Sequence, residues 1–128
     1  MNIKGYHHIG LYIQNTEKSL KFYTEGLGGK IIHTFPDGAP DRLVYLVDIG
    51  GGAVVELLPR GDGMMEKCAR WNHIALDTED TRKAVQKAVK AGAVIDIEPN
   101  DCMLGTMSVC YAFVNGPDGE SIEFFQIK

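Results

Sequence analysis

Apolar and polar positions alternate along much of this chain, and twice the alternation gives way to helical spacing. GYHHIGLYI, residues 5–13, reads as a strand. Successive strand side chains point to opposite faces, so His7, Ile9, Leu11 and Ile13 share one side and His8, Gly10 and Tyr12 the other. Thr16–Gly26 follows as a helix, with Asn15 or Thr16 as its cap and Leu20, Tyr23 and Leu27 as its apolar stripe. Gly26, Gly28 and Gly29 stop it. Strands are predicted at Lys30–Phe35, Arg42–Ile49 and Ala53–Pro59. A loop dense in turn formers, Pro36–Asp41, and the run Gly50-Gly51-Gly52 separate them. The order is β-α-β-β-β.

Residues 60–70, RGDGMMEKCAR, read as a linker, and the same order then returns. WNHIALDT is a strand. Asp77 or Thr78 caps a helix that runs to about Ala91 with Ala84, Val85, Ala88 and Val89 on one face, and Gly92 ends it. AVIDIE is a strand, Pro99–Gly105 a loop, Met107–Val114 a strand, NGPDG a turn and Glu120–Ile127 the last strand. HHIGLYI aligns with NHIALDT, and AVVELL with SIEFFQ. His73 follows His8 by 65 residues and Glu123 follows Glu56 by 67, the difference sitting in the longer NGPDG turn. A repeat of five elements in one order outranks any single element as a sign of fold.

Composition narrows the setting. A chain of 128 residues, 45% hydrophobic, is one domain or two small modules sharing a core. The net charge of −4 and the lack of a Lys/Arg cluster argue against nucleic acid and anionic membrane as partners. No apolar run approaches the ~20 residues of a membrane span, and MNIKGYHH lacks the apolar core of a secretion signal, so a cytoplasmic location is expected. Cys68, Cys102 and Cys110 are odd in number and without CxxC spacing, which reads as reduced, partly buried thiols.

The repeat selects between the adjacent histidines. His8 aligns with His73, whereas His7 aligns with Asn72, a poor metal ligand. By alternation His8, His73, Glu56 and Glu123 all project away from the apolar, helix-covered sides of their strands, so they can line the concave side of a curved sheet. A lone strand glutamate is usually a solvated side chain, and a lone strand histidine a hydrogen-bonded structural residue. Two imidazoles and two carboxylates related by a repeat instead make a mixed set suited to Ni, Co, Fe, Mn or Zn. Four protein ligands leave an octahedral ion two positions for a substrate with adjacent oxygens. A metal there would polarise a carbonyl and stabilise an enediolate, and a glutamate could carry the proton. His33 has no repeat partner and reads as a surface or pocket-edge residue.

The stretches HHIGLYIQNTEKSLKFYTEGLGG, AVVELLP, NHIALDTED and FVNGPDGESIEFFQ together resemble the vicinal oxygen chelate superfamily, which includes glyoxalase I. The resemblance covers nearly the whole chain. It implies an α+β fold of two βαβββ modules, here residues 1–59 and 71–128, forming an incomplete barrel around one divalent metal ion. Its metal ligands fall on His8, Glu56, His73 and Glu123, and its catalytic carboxylates on Glu123 and Glu56. The order His, Glu, His, Glu is similar to that of glyoxalase I, or lactoylglutathione lyase, and implies a metal-dependent lyase or isomerase. The implied substrate is a small molecule with vicinal oxygens, such as a glutathione or other thiol adduct, and the implied assembly is a homodimer. Acyl-CoA epimerases of the superfamily usually carry glutamine at the place of Glu56, and its bleomycin-binding members generally lack the metal set. An acyl-CoA epimerase and a non-catalytic small-molecule-binding resistance protein are the alternatives. MLGTMSVC stands where bacterial glyoxalase I usually has a GGTT-like segment, and no set of glutathione-binding cations stands out among Lys30, Arg42, Arg60 and Arg70.

Overall fold

A computed structural model of the chain describes residues 3–59, 70–116 and 119–128. Most of the expected linker, Cys68 and part of the NGPDG turn lie outside the described residues. The chain divides into two compact units, one made of residues 8–72 and the other of residues 1–7 with 73–128. The first strand, β1 (Ile3–Ile13), therefore begins in the second unit and continues in the first. The class is α+β, and each unit follows the βαβββ order.

In the first unit β1 leads into α1 (Thr16–Lys21), a π-helical turn (Phe22–Gly26), β2 (Lys30–Asp37), β3 (Ala39–Asp48) and β4 (Val54–Pro59). The strands lie in the order β2-β3-β4-β1. β1 and β4 are parallel, and the other neighbours antiparallel. The Asn15 side chain caps α1 by accepting from the Lys18 N–H at 2.9 Å. Leu20 and Tyr23 pack on Leu11, Ile13, Val47, Val55 and Leu57, the core of this unit. Leu27, expected on the same stripe, is 48% exposed. The cause is the π turn, closed by the Leu27 N–H on the Phe22 carbonyl: its extra residue rotates the next part of the chain off the packed face. The Gly29 N–H donates to the Tyr23 carbonyl at 2.8 Å. A Cβ at Gly29 would overlap that carbonyl oxygen and crowd the Val47 side chain, so the return into β2 needs glycine.

The second unit contains β5 (Arg70–Thr78), α2 (Thr81–Lys90), β6 (Val94–Leu104), β7 (Met107–Asn115) and β8 (Ser121–Ile127), in the strand order β5-β8-β7-β6. β5 and β8 are parallel; β8 with β7 and β7 with β6 are antiparallel. One face of this sheet holds α2 through Ala84, Val85, Ala112, Val114 and Phe124, with Ile3 against them. The other face gathers Ala75, Val109 and Phe125, flanked by Cys102, Leu104, Met107 and Tyr111. The helix cap is Asp80, not Asp77 or Thr78. Its carboxylate accepts from the Lys83 N–H at 3.0 Å, while the Thr78 hydroxyl accepts from the Asp80 N–H in the turn before it. Val89, expected on the buried face, is 43% exposed.

Both loops expected from turn-former density prove to be strand. β2 and β3 extend through Pro36–Asp41 and turn at Gly38 alone (φ +81°). β6 runs on through Pro99 to Leu104 and turns at Gly105 (φ +62°). Pro36 and Pro99 fall where the ladders of β2 and β6 shift register, and both strands end their sheets, where a missing N–H costs little.

Candidate functional site

In the first unit Glu56 of β4 stands directly across from Gly10 of β1. Gly10 offers no side chain, so the imidazole two residues earlier on the same face meets the carboxylate diagonally. His8 Nε2 lies 3.6 Å from Glu56 Oε1, with His8 2% and Glu56 7% exposed. On its other side Glu56 faces Leu46 of β3.

The second unit repeats the device. Glu123 of β8 stands across from Ala75 of β5, another small residue, and His73 two residues earlier brings Nε2 to 3.1 Å from Glu123 Oε1. Both are buried. Here the partner on the far side is Phe113 of β7 rather than a leucine. Its ring meets the His73 ring edge to face, centroids 5.1 Å apart and planes at 78°, and Tyr111 meets Phe113 in the same manner at 6.0 Å. Cys102, packed on this side of the sheet, has its thiol pushed above the ordinary range, chiefly by burial and then by the charges of Cys110 and Glu123. Burial likewise raises Cys110, so both stay protonated thiols at neutral pH.

A buried carboxylate is costly unless something compensates its charge. An imidazole at 3.1–3.6 Å is one such partner. The spacing also suits a shared ion: two donors each about 2.1 Å from one metal, at right angles, stand about 3 Å apart. Each pair supplies one nitrogen and one oxygen of the kind that borderline divalent ions accept. The donors fit a metal.

Thus the structure joins His8 to Glu56 and His73 to Glu123, each pair within one unit. His7, expected under a helix with Ile9, Leu11 and Ile13, packs instead on Phe125, ring centroids 4.4 Å apart. Only Leu11 and Ile13 join the helix-packed core, and Ile9 is 37% exposed. His7 lies on the part of β1 that belongs to the second unit, as Phe125 does, whereas His8 onward belongs to the first. His33 is half-buried against Phe35, at 5.9 Å, in the β2 position opposite Leu46. Of the candidate cations, Lys30 is exposed and Arg42 half-buried, while Arg60 and the Arg70 side chain lie outside the described residues. Phe113 is the neighbour that sequence reasoning passes over, because the repeat places Leu46 at its counterpart; the pairing of β7 with β8 reveals it.

Known proteins resemble this chain in sequence or in fold. Lactoylglutathione lyase of Neisseria meningitidis serogroup A is 32% identical over 125 residues, spanning 94% of this chain and 89% of its own. An uncharacterised protein of Bacillus subtilis is 33% identical over 124 residues, spanning 93% and 94%. The crystal structure of methylmalonyl-CoA epimerase from Mycobacterium tuberculosis has the same fold at a TM-score of 0.76 and 18% identity, covering 97% of this chain and 88% of that one. The pattern that defines the Glyoxalase/Bleomycin resistance protein/Dioxygenase superfamily matches residues 5–124. That match runs from within the first strand into the last, through both His–Glu pairs, and the chain belongs to this superfamily.

Proposed function

We propose that His8, Glu56, His73 and Glu123 together hold one divalent metal ion, and that the protein is a metal-dependent lyase or isomerase of the glyoxalase I type. One observation carries the reading: a buried histidine–glutamate pair occurs twice, at equivalent places of a repeated module, each time beside a small residue that gives the imidazole room. A hydrogen-bonded pair would explain either alone. Its duplication is what a shared ion asks for. The relatives named lactoylglutathione lyase, at about the same length as this chain, support the same reading.

His8 and His73 would supply the nitrogen donors that hold the ion. A divalent ion, when bound, would polarise a carbonyl and stabilise the negative charge that develops on adjacent substrate oxygens. Glu123, or Glu56, moves the proton between neighbouring carbons, a role for which a buried carboxylate beside the substrate is suited. The substrate is a small molecule with vicinal oxygens, in this reading the thiol adduct of a 2-oxoaldehyde. The superfamily resemblance adds a homodimer as the working assembly, which sedimentation equilibrium tests.

The deciding experiment measures bound metal in the purified protein, then incubates it with methylglyoxal and glutathione in D2O. Metal at one equivalent and product carrying deuterium support the reading. Exchange only with a 2-methyl acyl-CoA would make the protein an epimerase, and tight ligand binding without exchange a sequestering protein. Glu123→Gln should keep the fold while losing about 10²–10⁴ of the turnover; full activity in that variant removes Glu123 as the base.

A further inference from the structure

The two units place different residues across from their glutamates. His8 and Glu56 sit 3.6 Å apart, and the residue across from Glu56 is the aliphatic Leu46. His73 and Glu123 close to 3.1 Å, and the residue across from Glu123 is Phe113, whose ring meets the imidazole edge to face. Phe113 is in turn braced by Tyr111 at 6.0 Å and 81°. An imidazole on a strand has a broad second torsion with two opposed minima, which exchange the places of its two nitrogens. An edge-to-face ring contact is directional, because the positive edge of one ring seeks the negative face of the other. A leucine offers contact without that direction.

We infer that Phe113 is a positioning residue for His73: its ring selects the orientation that presents Nε2 toward Glu123, and so prearranges the second unit's donors. The inference rests on the reading of His73 as a metal ligand and adds to it that the His73 imidazole is oriented before anything binds. Phe113 touches neither substrate nor metal in this role. Prearranged donors bind more tightly because less freedom is lost on binding.

The test compares the native protein with Phe113→Leu, which copies the first unit's residue, and Phe113→Tyr, which keeps the ring. Ring ¹⁵N and ¹H signals of His73 are followed in the metal-free proteins, and cobalt(II) is titrated by its visible absorption. In Phe113→Leu the His73 signals should broaden or double while the circular dichroism stays native, and cobalt affinity should fall about three- to tenfold, the scale of one aromatic pair. Phe113→Tyr should stay within about twofold of native, since the ring contact survives. Unchanged His73 signals in Phe113→Leu overturn the inference, as does altered ring behaviour with unaltered cobalt affinity. If the native protein takes up no cobalt, the metal reading fails by itself, and the His73 signals alone then decide whether Phe113 orients the ring. Should Phe113→Leu not fold, Phe113→Met is judged by the same two outcomes.

Discussion

Replacing each of the adjacent histidines by alanine should give opposite outcomes. His8 is buried with its Nε2 at 3.6 Å from Glu56; His7 is half-buried with its ring on Phe125 at 4.4 Å. A four-ligand protein site binds a structural zinc ion with roughly 10–16 kcal/mol at neutral pH, or about 3 kcal/mol for each ligand, which is two decades in affinity. His8→Ala should therefore weaken divalent metal binding by about a hundredfold or more. It should also destabilise the metal-free protein, since a buried ring is lost and the Glu56 carboxylate loses the imidazole beside it. His7→Ala removes the contact with Phe125 and a share of buried ring. That costs about 1 kcal/mol, or roughly 3–5 °C in melting temperature for a chain of this size. Metal affinity should hold within about threefold, because no donor is removed. Isothermal titration with zinc and a thermal melt of each metal-free variant read both quantities. Metal binding that survives His8→Ala and is lost in His7→Ala would refute the strand alternation from which the assignment grows.

Three further outcomes test other parts of the fold. Gly29→Ala should destabilise the protein by about 1–3 kcal/mol in chemical denaturation, because its Cβ meets the Tyr23 carbonyl and Val47; an unchanged midpoint would show that the turn into β2 is not tight. Asp80→Ala should cost about 1 kcal/mol by removing the α2 cap, whereas Asp77→Ala should not affect capping, and equal losses in both would misplace the helix start. Asp101 pairs with Lys128 at 2.8 Å and Arg82 at 3.2 Å, which lower its carboxyl from 3.8 to about 2. A depressed acid stabilises the fold above its unfolded value and loses that contribution as pH falls from 3.8 through about 2, and solvent screening keeps the effect small at this exposed site. A ¹³C titration of the Asp101 carboxyl should show a midpoint near 2, and one near 3.8 would break the pairing.

Much of this architecture is legible in the residues, and the failures share a cause. Asn15 as a cap, the glycine turns and the strand alternation are local, so spacing alone reveals them. Pro36–Asp41 and Pro99–Gly105 read as loops because proline, aspartate and glycine crowd there. Whether such a stretch is loop or strand depends on whether a neighbour needs the proline's missing N–H, and on β2 and β6 none does. Leu27 fits the helical period until a π turn, which the period does not contain, shifts its phase. The carboxylate paired with each histidine is foreshadowed by the repeat and the small residues Gly10 and Ala75. Phe113 is not, because the repeat carries a leucine there and only the pairing of β7 with β8 brings the ring to His73.

Parallel pairing within each unit has a kinetic consequence. β1 with β4, and β5 with β8, join the first strand of a module to its last, so each histidine meets a glutamate some fifty residues further along the chain. Contacts of such separation are slow to form, because the intervening chain must be ordered before they close. Neither pair can exist in a module that has folded only its hairpins. Each glutamate therefore reaches its histidine only after the first and last strands of that module have paired.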